Sequence, residues 1–140
     1  MAKKDVPVTD RFENAVKAKE PKFKLTSKLA RKNRQENYVL QGWKSGQELV
    51  SATTYELASA DEAAALLKRS LSAPVSVPSQ IINLTRLGDE AHLRVNSLYG
   101  KEGQTDLLFR KDKFVIVMSA SSPGIAKRFA KLMADEISNR

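Results

Sequence analysis

Polar and apolar positions alternate along much of the chain, and the period changes from segment to segment. After Pro21, the residues Phe23, Leu25, Ser27 and Leu29 alternate with Lys22, Lys24, Thr26 and Lys28. A period of two predicts a strand with one apolar and one basic face; a helix over the same residues is the alternative. Tyr38, Val39 and Trp43 lie on one side of a Ser-Gly turn, and Val50, Thr53, Thr54 and Tyr55 on the other. These β-forming residues around a turn predict a hairpin. Ser59 followed by Glu62 is a capping box, and Ala63, Leu66, Leu67 and Leu71 give the apolar stripe of the helix it starts.

Pro74 and Pro78 close that helix in an extended linker. Ile81, Ile82 and Leu84 form a short apolar segment. A strand begins near Ala91, where Ala91, Leu93 and Val95 alternate with His92, Arg94 and Asn96. "SLYGKEGQ" reads as a loop. "TDLLFRK" and "KFVIVMSA" read as two strands joined by a tight turn at Lys111 to Lys113. The run Phe114 to Met118 is apolar throughout, which predicts a central strand. A second helix starts at Ser122, a candidate N-cap, with Pro123 at the first helical position. Ile125, Phe129, Leu132, Met133 and Ile137 carry its apolar stripe.

The order is strands, helix, strands, helix, a loose internal duplication with Ser59 and Ser122 as matching caps. It predicts an α+β domain: an antiparallel sheet of about five to seven strands with two helices packed on one face. The folded domain is expected over residues 21–140. Residues 1–20, dense in charge and without a clear period, are expected to be a flexible basic arm, with room for a short helix through Phe12 and Val16.

Composition narrows the chemistry. The 140 residues contain no cysteine, so disulfides, thiolate zinc sites and cysteine nucleophiles are excluded. The net charge of +8 is concentrated at one end: residues 1–36 hold 11 Lys and Arg against 5 Asp and Glu. Lys22, Lys24, Lys28, Arg31, Lys32 and Arg34 are therefore the candidate contacts to nucleic acid or another anion. The aromatics do not interleave with these charges as a base-stacking platform requires, so a solvated basic face or contact with an anionic surface weighs against that role.

The stretch "RLGDEAHL" puts Gly88, Asp89, Glu90 and the chain's one histidine, His92, within five residues. On a strand, Glu90 and His92 share a face while Ala91 and Leu93 share the other. A single outward histidine makes a poor metal or acid/base site. The better reading gives Gly88 the turn and lets Asp89 bond to nearby backbone amides. A small hydrolase built on Asp89, Glu90 and His92 is the remote alternative. "LYGKEGQ" lacks the lysine and helix of a phosphate loop, and no serine lies in a nucleophile elbow. No catalytic residue, metal site or cofactor is expected. Trp43, Tyr99 and Arg110 are the candidate ligand-binding residues by their chemistry.

"YELASADEAAALL", "LGDEAHL", "LLFRKDKFVIVMSA" and "SPGIAKRFAKLMADEI" together resemble uncharacterised bacterial exported or lipoprotein-like α+β domains, over roughly residues 49–138. The turn Arg110-Lys111-Asp112-Lys113 departs from that pattern, where a glycine is expected. The resemblance implies a non-enzymatic sensor, accessory or binding domain. Its partner would be an unidentified protein or small molecule, and its state a monomer or homodimer. It also implies an extracytoplasmic location, although no leader and no apolar span is present in this sequence. The alternative is a cytoplasmic basic protein that binds nucleic acid.

Overall fold

A computed structural model describes residues 6–32, 37–72, 79–98 and 101–138. The elements, in chain order, are α1 (Val8–Lys19), β1 (Lys24–Lys32), β2 (Asn37–Ser45), β3 (Glu48–Glu56), α2 (Ala60–Ser72), β4 (Ser79–Leu84), β5 (Glu90–Leu98), β6 (Lys101–Lys111), β7 (Phe114–Ala120) and α3 (Pro123–Ser138). The strands form one seven-stranded sheet in the order β1-β2-β3-β7-β6-β5-β4. Every neighbouring pair is antiparallel. The apolar run Phe114–Met118 lies in β7, the middle strand, where both faces are covered and alternation has no reason to appear.

The expected α+β class and antiparallel sheet hold, but the helix count and layering differ. Among the described residues there are three helices, on both faces of the sheet. α1 and α3 pack on one face, over Trp43, Ala52, Leu107, Phe109, Ile116 and Met118. α2 packs on the other, where Ala63 and Leu67 meet Leu108 and Val115. The reason is topological. The chain leaves β3 near the sheet centre and must reach β4 at the far edge, and α2 makes that crossing over β7 and β6. The two helices that look like matching caps in sequence thus end on opposite faces.

The segment expected to be an arm is, from Val8 onward, a helix packed into the core. Phe12 and Val16 are fully buried. The Phe12 ring meets Trp43 edge-on at 5.2 Å and Phe129 at 6.4 Å, and Phe23 meets Phe129 at 5.1 Å. Four aromatic rings in such contact contribute roughly 0.5–1.5 kcal/mol per pair beyond their buried area. Arg11 ties α1 to the end of α3: its guanidinium donates to the Glu136 carbonyl at 3.0 Å and lies 3.5 Å from the Glu136 carboxylate. Residues 1–5 fall outside the described residues.

β1 is a strand, as its period of two predicts, but its leucines are not core residues. Leu25 and Leu29 are 41% and 48% exposed on this edge strand. The bulge between Leu25 and Ser27 breaks the alternation, so Leu25 lies opposite Trp43 on the α1/α3 face and Leu29 opposite Leu40 on the α2 face, and the expected single apolar face does not form. Phe23, just before it, is the residue that enters the core. β5 and β6 also run further than expected, to Leu98 and from Lys101, through most of the predicted "SLYGKEGQ" loop. The linker prolines Pro74 and Pro78 lie outside the described residues.

Both helix caps form. The Glu62 amide donates to the Ser59 hydroxyl at 3.2 Å, while the Glu62 carboxylate accepts from the amide of Ala58, the residue before Ser59, where a capping box uses the serine's own amide. The Ile125 amide donates to the Ser122 hydroxyl at 3.3 Å.

Candidate functional site

The Gly88–His92 cluster is structural. Gly88 has φ +60, and a Cβ there would lie 2.5 Å from the Arg110 carbonyl. That close approach brings the Asp89 amide to the Arg110 carbonyl at 2.7 Å. The Asp89 carboxylate accepts from the Asp112 amide at 2.7 Å and lies 3.4 Å from both Arg110 Nη1 and Lys111 Nζ. These contacts, the Asp112 amide first, hold the Asp89 carboxyl below its ordinary range. Asp89 thereby latches the β4–β5 turn onto the β6–β7 turn, where Asp112 takes the left-handed conformation at φ 55 in place of the expected glycine.

His92 and Glu90 share a face, as alternation predicts, and lie 2.7 Å apart through Nε2; Nδ1 lies 2.7 Å from the Asn83 side-chain oxygen. Both ring nitrogens are thus occupied. Among the described residues no group of three or more His, Cys, Asp and Glu is placed to hold a metal ion.

A different region offers room. α2 covers only part of its face of the sheet. Beyond it, Ser27, Gly42, Ser51, Ser119, Asp106 and Arg94 follow one another across six strands as direct cross-strand neighbours. Small side chains there, with no helix of the described residues above them, leave a cavity of about 590 Å³. It is lined by Thr26, Ser27, Gly42, Trp43, Leu49, Val50, Ser51, Gln104, Ser119, Ala120 and Ser121. No α2 residue lines it. Volumes of about 300–1,000 Å³ are usual for small-molecule sites.

The polar groups at one end are fixed. The Asp106 carboxylate accepts from Arg94 at 3.0 and 3.2 Å and from the Ser119 hydroxyl at 2.8 Å. Gln104 Nε2 reaches the same carboxylate at 3.5 Å. The Ser121 hydroxyl accepts from the Leu49 amide and donates back to the Leu49 carbonyl. The hydroxyls of Ser27 and Ser51 have no hydrogen-bond partner among the described residues. They are the groups left to meet a ligand. Gly42 lies between them, and a Cβ there would lie 2.6 Å from the Ser27 hydroxyl.

Of the described residues singled out in the sequence, Trp43 alone lines this cavity. Trp43 is only 2% exposed; its indole belongs to the aromatic core, packed on Phe12 and Phe129. Arg110 serves the Asp89 latch. Tyr99 and Arg34 lie outside the described residues. Of the basic candidates, Lys28 forms ion pairs with Asp10 and Glu13, both at 3.0 Å, and those partners raise its pKa. Lys22 lies before β1, beside Glu20 and Arg128. Lys24 and Arg31 point to the α2 face and Lys32 to the α1/α3 face. Sequence reasoning missed the serines because each is unremarkable alone. The available signal was Gly42, a glycine inside a strand, which marks close approach of another group.

The fold and cavity together define an open antiparallel sheet between helices with one uncovered, polar-lined half-face. No family model and no curated protein matches the chain. Among solved structures, it is similar in fold to a GTP-binding regulator from Thermotoga maritima, at 9% identity and a TM-score of 0.56, covering 93% of this chain and 89% of that one. A second similarity is to the extracellular domain of PknH from Mycobacterium tuberculosis, at 12% identity and a TM-score of 0.48, covering 74% of this chain and 66% of that one. At these identities the first likeness concerns fold alone. Among the described residues no helix is long and apolar enough to cross a membrane.

Proposed function

We propose that this chain is a non-enzymatic ligand-binding domain of an exported bacterial protein, with the cavity on the α2 face as its site. The observation that carries this is the pair of hydroxyls, Ser27 and Ser51, without a hydrogen-bond partner among the described residues and facing a cavity of about 590 Å³ beside a fixed Asp106–Arg94 network. Fixed polar groups around a small open volume orient a ligand at little entropic cost. The non-catalytic reading is supported by the fate of the acid–histidine cluster, whose groups are bonded to one another and to the turns. The exported setting rests on the sequence resemblance over residues 49–138.

The test is a thermal-shift screen of small polar compounds against the wild type and a cavity-filling variant, Ser51→Leu. Compounds that raise the wild-type Tm and leave the variant unmoved support the site. Compounds that raise both equally bind elsewhere and would sink it.

A further inference from the structure

Lys24 and Lys44 lie directly opposite each other across the β1–β2 pair. Trp43, next to Lys44, points into the α1/α3 core, so both lysines point to the α2 face. Both are exposed, and neither has a carboxylate partner among the described residues. Like charges directly opposite on neighbouring strands are destabilising. The pair flanks the cavity: Lys44 is two residues beyond Gly42 on the same face and directly opposite Leu49, and Gly42 and Leu49 both line the cavity.

The cavity lining itself carries no charged side chain. The carboxylate at its other end, Asp106, is taken up by Arg94, Ser119 and Gln104, so it supplies no counter-charge to the lysines. Ser27 and Ser51 can each donate and accept, which suits a hydroxylated ligand. From this we infer that the cavity takes a hydroxylated small molecule bearing one anionic group, a phosphate or a carboxylate. The anion sits between Lys24 and Lys44, and the hydroxylated body lies over Gly42 against Ser27 and Ser51. The anion converts a cross-strand repulsion into charge-assisted hydrogen bonds. This inference rests on the cavity being the ligand site.

Glucose 6-phosphate, glucuronate, glucose and inorganic phosphate, titrated calorimetrically into the full chain, test it. The two sugar anions should bind, and glucose and inorganic phosphate should each bind about tenfold more weakly or worse. In K24Q/K44Q the ligand-free Tm should equal or exceed that of the wild type, while affinity for the sugar anions falls about tenfold or more. Ser51→Leu, or Ser27→Leu on the edge strand should the first fold poorly, should abolish sugar-anion binding with both lysines still present. Unchanged affinity in K24Q/K44Q would overturn the assignment. So would inorganic phosphate binding as tightly as glucose 6-phosphate and ignoring Ser51→Leu, since the lysines would then act as a bare charged edge. If neither sugar anion binds but a neutral compound binds the wild type and not Ser51→Leu, the anion assignment fails and the cavity reading stands. If nothing binds in a Ser51-dependent way, both fail.

Discussion

The Asp89 carboxylate accepts the backbone N–H of Asp112 at 2.7 Å, joining two turns 23 residues apart. That bond fixes the register of two hairpins against each other. It also explains how a tight turn without glycine holds Asp112 at φ 55. A short polar residue tolerates the left-handed region better than most, and the bonded amide holds the conformation in place.

Replacing Asp89 by Ala should therefore destabilise the fold by about 1 kcal/mol, below the usual range for a lost hydrogen bond to a charged group, because the carboxylate is partly exposed. The pH dependence has a defined sign. The carboxyl is held below its ordinary value of 3.8, so it stabilises the fold above that pH and loses the contribution as pH falls through its native value. Urea melts at pH 6 and at pH 3 should show the wild type losing more stability than Asp89→Ala over that interval. Parallel losses would remove the latch.

The turn glycines Gly88, between β4 and β5, and Gly46, between β2 and β3, should differ in sensitivity. Gly88→Ala meets the Arg110 carbonyl at 2.5 Å as well as a φ of +60, whereas Gly46→Ala has the same φ and nothing within 4 Å. Gly46→Ala should cost about 1 kcal/mol from backbone strain alone. Gly88→Ala should cost clearly more, about 2–4 kcal/mol, since the two hairpins must separate. Equal Tm losses in the two variants would show that the close approach at Gly88 relaxes freely.

The parts of this fold that were legible in the sequence are those set by local pattern. The β2–β3 hairpin, both capped helices, the turn at Gly88 and the central place of Phe114–Met118 all follow from period, cap or turn chemistry over a few residues. What was hidden depends on distant partners. Leu25 and Leu29 alternate like core residues, yet the edge position of β1 exposes them. Phe12 and Val16 sit in a charged helix, and only Trp43 and Phe129, remote in sequence, reveal that their side is buried. The cavity was hidden for the same reason. Ser27, Gly42, Ser51 and Ser119 come from four strands and become neighbours only through strand order.

Because α1 is a core element, Phe12→Ala should cost about 3–5 kcal/mol, the range for an emptied aromatic core site. Hydrogen exchange should find the amides near Val16 protected about as strongly as those of β7. A flexible arm would instead exchange at once and tolerate Phe12→Ala with no change in Tm.

The basic residues carry the last prediction. A nucleic-acid surface needs its cations on one side to neutralise neighbouring phosphates. Here Lys28 is already paired with Asp10 and Glu13, and Lys24 and Lys32 point to opposite faces of β1. Lysines and a bulge are also the usual means of keeping an edge strand from pairing with another chain, and β1 has both, with its register shift between Leu25 and Ser27. Mixed-sequence single-stranded and duplex DNA, followed by fluorescence anisotropy, should therefore bind weakly at low salt and not measurably at physiological salt. Submicromolar binding whose logarithm falls steeply with salt, and which Lys22→Gln and Arg31→Gln weaken, would instead make the basic end a nucleic-acid site. Substituting Lys24 and Lys28 by uncharged residues should, on the edge-strand account, increase self-association measured by light scattering.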